Sequence, residues 1–242
     1  AAVNEEWNCD KGRWAFKYVT EVDRLTTPMV RGADGVLAPA SWPEALAAAA
    51  AGLKGKRAAV LVGGRATTED AYGYSKFARV VLATNDIDFR ARATSDEERD
   101  FLAAHVVGTS AKYKDIDKAD QVLLVGFEPE EESPIVFLRI NKQVKKRGLK
   151  VTSIGTKLSI GVEKLGATFV KVAPGSESSA ITSQSLTAKS IILVGERASE
   201  SAGSLSAVAA LASQSGAKIA WIPRRAGERG ALEAGAIGNL LP

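Results

Sequence analysis

Residues 121–154 read QVLLVGFEPEEESPIVFLRINKQVKKRGLKVTSI, and one repeating unit of the fold is legible in them. QVLLVGF (121–127) is a short apolar run without alternation, as suits a strand covered on both faces. Ser133-Pro134 puts a capping residue before a proline at the first helical position, where the missing N–H has no partner to lose. The helix predicted there ends in Lys145, Lys146 and Arg147 before Gly148, so its cations meet the negative end of the helix dipole. LKVTSI (149–154) then resumes an apolar strand. Strand, helix and strand in this order predict two parallel strands joined by a right-handed crossover.

The same scheme continues in both directions. Upstream, AAVLVG (58–63) reads as a strand, followed by Gly64 and Thr67 and a helical stretch, TEDAYGYSKFARVVLA (68–83). Its predicted apolar face is Ala71, Tyr74, Ala78 and Leu82. IDF (87–89) reads as a short strand, and Ser95 with Glu98 has capping-box spacing for a helix running to Gly108. Downstream come the strands TFVKVA (168–173) and SIILVG (190–195), a helix near 204–215, and the strand AKIAWIP (217–223). LVG recurs at 61–63, 124–126 and 193–195, ending three strands alike. The fold class is therefore α/β, with parallel sheets flanked by helices.

The N-terminal part is less regular. Residues 28–40 predict a hairpin turning at Asp34-Gly35, and Ser41 with Glu44 predicts a capped helix ending before Gly55. The stretch GSESSAITSQSLTAKS (175–190) is rich in Ser and Thr and has no apolar period, as in a linker or a junction across a missing segment. The expected organisation is a segment 1–56, an α/β Rossmann-like unit 57–174, a linker or junction 175–189, and a second α/β segment 190–242.

Composition narrows the function classes. Apolar residues are 45% and charged residues 25%, and 32 Lys+Arg stand against 28 Asp+Glu. That excess is small and dispersed, with no basic stripe interleaved with aromatics, so nucleic acid is not an expected partner. The alanine run at 45–51 is far too short to cross a membrane. A single Cys cannot form an internal disulfide, which predicts a soluble chain in a reducing compartment, with membrane association only through partners.

Candidate chemistry is sparse. No G-x-G-x-x-G or G-x-x-x-x-G-K-S/T follows a strand, so the strand-end glycines read as tight turns. Glu128, Glu130, Glu131 and Glu132 crowd a helix start, where they read as solvated charge that would repel a phosphate. His105 is the only imidazole and has no triad companion. Asp86 and Asp88 receive no catalytic role. Cys9, in WNCDKGRW (7–14), reads as a buried small side chain, as a thiol activated by Lys11 and Arg13, or as a metal ligand whose fellow thiolates lie outside the chain. Spacing leaves these three open.

Longer phrases carry a resemblance. NEEWNCDKGRWAFKY (4–18), DRLTTPMVR (23–31), SWPEAL (41–46), GGRATTEDAYGYSKFARVVLATNDIDFRAR (63–92) and GFEPEEESPIVFLR (126–139) resemble the G subunits of bacterial NADH-quinone oxidoreductases, respiratory complex I. RAGERGALEAG (225–235) is consistent with them. Those subunits are similar in turn to the molybdopterin oxidoreductases, such as formate dehydrogenase. The resemblance implies that Cys9 is the last of four cysteines holding a 4Fe–4S cluster, the other three lying upstream. Lys11 matches the lysine between cluster and pterin in the molybdenum enzymes. Two departures are expected to matter: Thr94 stands where those enzymes carry a metal-ligating Cys or selenocysteine, and Glu128 replaces the amide of their G-x-N-P segment. The implied function is a scaffold fragment of a peripheral-arm subunit, with no catalytic residue of its own. It would contribute one ligand to an accessory cluster in a complex passing electrons from NADH to quinone with ion translocation. The resemblance further implies no cluster on the fragment alone, no molybdopterin, and partners among the other peripheral-arm subunits. It implies a cytoplasmic location, peripheral to the inner membrane through the complex. The alternative is an active molybdopterin-dependent oxidoreductase of the formate dehydrogenase type, which would need a metal-ligating side chain at position 94.

Overall fold

The structure is a computed structural model that describes residues 5–109 and 111–240, with the Lys11 side chain outside that description. Helix α1 (Asp10–Trp14) leads through a 3-10 turn to the hairpin β1 (Met29–Arg31) and β2 (Leu37–Pro39), paired antiparallel. The hairpin turns where the sequence predicts. Gly35 has φ 79°, and Asp34 Oδ1 accepts the Val36 N–H at 3.0 Å. Helix α2 (Trp42–Leu53) begins with the predicted reciprocal cap, the Glu44 carboxylate accepting the Ser41 N–H at 2.8 Å and the Ser41 hydroxyl accepting the Glu44 N–H. No described residue before Val60 is buried.

From Val60 the chain builds layers. Strand β3 (Val60–Leu61) pairs in parallel with β4 (Ile87–Asp88), and α3 (Thr68–Lys76) between them continues into a wide π-type turn over Phe77–Val81. The buried face of α3 departs from the expected one. Ala71, Ser75 and Ala78 are buried, while Tyr74 is exposed. Small residues at i, i+4 and i+7 let another helix approach closely, and a tyrosine ring has no room in that seam. Helix α4 (Asp96–His105) is capped by Ser95, whose hydroxyl accepts the Glu98 N–H at 3.1 Å, and α5 (Tyr113–Ile116) follows. The helix α4 ends at His105, short of the predicted Gly108.

The central sheet comprises β5 (Gln121–Val125), β6 (Lys150–Gly155), β7 (Thr168–Lys171), β8 (Ile191–Gly195) and β9 (Lys218–Ile222). All pairings are parallel, in the order β7-β6-β5-β8-β9. Between strands lie α6 (Pro129–Glu132), α7 (Pro134–Arg147), α8 (Ile160–Lys164), α9 (Glu177–Thr182) and α10 (Ser204–Ser215), with α11 (Glu228–Glu233) after β9. The absence of alternation in QVLLV has a direct cause. Leu123 and Val125 pack into one apolar layer with Ile192, Val194, Leu205 and Val208, while Val122 and Leu124 pack into the other with Val136, Ile140 and Val162. Each such fully buried side chain stabilises the fold by roughly 1.5–3 kcal/mol.

Two details of α7 and α9 refine the expectations. Ser133 occupies the N-cap of α7 but its side chain makes no capping bond; Gly148 ends the helix with φ 69°. The Ser/Thr-rich stretch 175–190 contains α9, whose Ile181 is fully buried against α10. A six-residue helix anchored mainly by one apolar side chain leaves no period to detect. The sheet itself is continuous across this stretch, since β8 hydrogen-bonds to β5.

Candidate functional site

The chain leaves β5 toward β6 and β7, then returns to the other side of β5 to form β8. Parallel sheets of this kind place ligands at that switch point, outside the carboxyl ends of the strands. Here the two strand-end loops cross in contact. Gly126 has φ 57°, and a Cβ on it would press into the Ala198 backbone, 2.8 Å from Cα. A Cβ on Gly195 would come within 3.0 Å of Phe127 Cα. The strand-end glycines therefore make turns, as their sequence predicts, and also let β5 and β8 close on each other.

Beside this crossing lies a cavity of about 510 Å³ whose polar lining includes Glu128, Lys157, Ser159, Glu177, Arg197 and Glu200. Glu128 caps α6, Oε1 accepting the Glu130 N–H at 3.2 Å, and takes the hydroxyl of Ser159. Ser159 in turn caps α8 by accepting the Val162 N–H at 3.1 Å. The glutamate cluster is less solvated than expected. Glu130 pairs with Lys164 at 2.6 Å, and Glu132, only 7% exposed, binds Arg197 at 2.8 Å and Arg224 at 2.9 Å. Glu131 alone of the four is exposed. These contacts decide whether a phosphate-rich pterin dinucleotide fits. The start of α6 is already capped by the Glu128 carboxylate and that of α8 by the Ser159 hydroxyl, Arg197 is paired, and three glutamates line the space, so the residues present do not fit it. Thr94 is exposed on the loop before α4 and is not among the residues lining this cavity; its side chain is a neutral hydroxyl, not a thiolate or selenolate.

A second cluster joins several layers. Arg90, 4% exposed, binds Asp88 through two nitrogens at 3.0 and 2.7 Å and reaches Glu98 at 3.0 Å. Glu98 is 2% exposed and also takes both terminal nitrogens of Arg92. Arg92 Nε lies 3.5 Å from Glu196, just beyond β8, and Glu196 lies 3.4 Å from Arg225. Arg225 reaches Glu228 at 2.9 Å. Sequence spacing points to Glu98 only as a capping partner, and to none of Glu196, Arg225 and Glu228. No local pattern signals an ion pair whose members lie on different layers.

Cys9 stands apart from both clusters. It is half-buried at the start of α1, and its Sγ accepts the Gly12 N–H at 3.4 Å. Arg13 donates to the Asn8 side chain at 3.2 Å. Lys11 belongs to α1 by its backbone. Among the described residues no group of three His, Cys, Asp or Glu could hold a metal ion. A 4Fe–4S cluster takes four thiolates, and this chain has one to offer. His105 ends α4 against the Phe101 ring at 5.6 Å, Asp88 is tied to Arg90, and Asp86 lies 3.9 Å from Arg57.

Comparison with known proteins agrees with this architecture. Over 255 residues the chain is 52% identical to the NADH-quinone oxidoreductase G subunit of Mycobacterium bovis, covering 99% of the chain and 32% of that protein. The corresponding subunit of Streptomyces coelicolor is 50% identical over 274 residues, again with 99% and 32% covered. The alpha subunit of a formate dehydrogenase of Methanocaldococcus jannaschii is more distant, 31% identical over 184 residues that cover 72% of the chain and 26% of that protein. The chain thus spans about a third of the length of these curated relatives. The sequence profile of the molybdopterin oxidoreductases matches residues 24–222, and the chain belongs to that family.

Proposed function

We propose that this chain is the molybdopterin-oxidoreductase-like part of a subunit of an NADH-quinone oxidoreductase, acting there as scaffold. Its relatives at 50–52% identity over 99% of the chain are subunits of that enzyme complex. The observation that carries the scaffold reading is the crevice beyond β5 and β8, occupied by crossing loops and carboxylates. Cys9 supplies one thiolate of an accessory 4Fe–4S cluster, three others coming from outside these residues. The Gly12 N–H on its sulfur suits a cluster thiolate, since such bonds stabilise the anionic ligand. Lys11, two residues on, is the position matching the family lysine between cluster and pterin. The partners are other subunits of the complex, and any membrane association runs through them. No helix among the described residues is long and apolar enough to cross a membrane.

The test uses the assembled complex. Cys9→Ser should remove or distort one iron–sulfur signal in the electron paramagnetic resonance spectrum, with up to about four fewer irons per complex. An unchanged spectrum and iron content would show that Cys9 is not a ligand. Metal analysis of the same preparation addresses the scaffold reading separately: stoichiometric molybdenum or tungsten would overturn it in favour of an active molybdopterin oxidoreductase.

A further inference from the structure

Seven charged side chains run in one row through the molecule: Asp88, Arg90, Glu98, Arg92, Glu196, Arg225 and Glu228. Four are carboxyls and three are guanidiniums, so the fully ionised row carries one negative charge in excess. That excess falls at the end of the row. Glu196 and Glu228, 6% and 2% exposed, both approach the same nitrogen of Arg225, at 3.4 and 2.9 Å. Two buried carboxylates on one guanidinium nitrogen repel strongly, whereas one proton between them replaces the repulsion with a hydrogen bond.

The one surplus guanidinium nearby, left where Arg197 and Arg224 share Glu132, acts on Glu196 and so favours Glu196 as the carboxylate of the pair. Arg92 acts on Glu228 but is shared with Glu98 and Glu196. Arg224 faces Glu196 and is bound to Glu132; Arg197 and Arg229 pair with Glu132 and Glu233. Arg65, on the loop over Arg225, is exposed, as are Glu69 and Asp70 at the start of α3. The Glu228 carboxyl is held above the ordinary carboxylate range. Burial is the largest cause, the Arg225 hydrogen bond opposes it, and Glu196 adds a hydrogen bond and like charge.

We propose that Glu228 is kept as a neutral carboxylic acid donating to the Glu196 carboxylate, so that the joint between α11 and the carboxyl end of β8 is a latch closed by one proton. Glu228 is the first residue of α11, and the neighbouring contacts tie that helix to the β3–α3 layer. The Gly227 N–H donates to Gly64 O at 2.8 Å, and a Cβ on Gly230 would meet Thr68 Cβ at 3.3 Å. Loss of the proton loosens α11 from the sheet and from α3 together. A raised folded-state value means that the latch contributes fully below the unfolded carboxylate value, about pH 4.3. The contribution is lost as pH rises through the elevated value of Glu228.

Hydrogen–deuterium exchange on the full chain, corrected for intrinsic rates, reads the latch directly. In the native chain, protection of α11 relative to β5 should fall by up to about tenfold per pH unit between those two values, then level off. Glu228→Gln, which keeps a donor but cannot ionise, should hold α11 protected across the range. A flat native profile, or a variant that falls as the native chain does, would overturn the latch. If the variant does not fold, infrared difference spectra of the native chain decide. A protonated carboxyl band persisting above the ordinary carboxylate range supports the latch, and its absence refutes it.

Discussion

Glu98 shows how much one side chain can be asked to do. Its backbone N–H meets the Ser95 hydroxyl, as capping-box spacing predicts, but its carboxylate turns inward to the buried Arg90 and half-buried Arg92 guanidiniums instead of back to Ser95. Removing one partner of a buried ionic cluster leaves charge without compensation, which costs about 3–5 kcal/mol. Glu98→Ala should therefore lower the urea unfolding free energy by that order, and Glu98→Gln by less, because an amide oxygen still accepts one guanidinium bond. A loss under about 1 kcal/mol for Glu98→Ala would mean that Arg90 and Arg92 find other partners or water.

Among the elements, α10 depends on a cap that it does not carry. Gly203 holds its N-cap position and has no side chain to offer. The missing acceptor comes from α4: Glu97 accepts the Gly203 N–H at 2.9 Å and both the Ser206 N–H and hydroxyl at 2.8 Å. Burial raises the Glu97 carboxyl value, but the Ser206 and Gly203 bonds outweigh it and hold the group below its ordinary value. The stabilisation is thus present above the unfolded value of about 4.3 and fades as pH falls through the depressed one. Glu97→Ala should cost about 1 kcal/mol near neutral pH, judged by the urea midpoint, and the difference from the native chain should shrink on acidification. A difference that stays constant into acid would assign the effect to packing instead of charge.

At the scale of the whole molecule the two ends of the chain differ in kind. In the central sheet β5, β6 and β8 bury both faces, whereas before Val60 Trp14, Phe16, Tyr18, Val22 and Leu25 are all exposed. The first described residues are pinned to the α/β body by ion pairs. Glu5 lies 3.2 Å from Arg139 and 2.5 Å from Lys142, and Lys142 stands over the Trp7 ring. Exposed apolar surface on this scale marks a contact region, and unburied backbone is what proteases cut. Limited trypsin treatment of the isolated chain should cleave first among Arg13, Lys17, Arg24 and Arg31, leaving a resistant product that begins near Arg57. In the assembled complex the same bonds should survive; equal cleavage in both states would show that nothing covers the segment.

The strand–helix–strand order, the hairpin at Asp34-Gly35, the capped start of α2 and the end of α7 at Gly148 were all determined by the sequence itself. Each depends on backbone preferences and apolar periods that act over a few neighbouring residues. The family resemblance was legible for a different reason, in long phrases such as WNCDKGRW and GFEPEEESPIVFLR. Other features were decided only by the tertiary structure: the exposure of Tyr74, the packing of α9 through Ile181, the borrowed cap on α10, and the ionic row from Asp88 to Glu228. Their partners lie far apart in the chain, as Glu97 lies from Ser206 and Arg92 from Glu196. Burial in a low-dielectric interior gives such pairs their strength, and burial belongs to the packed layers as a whole.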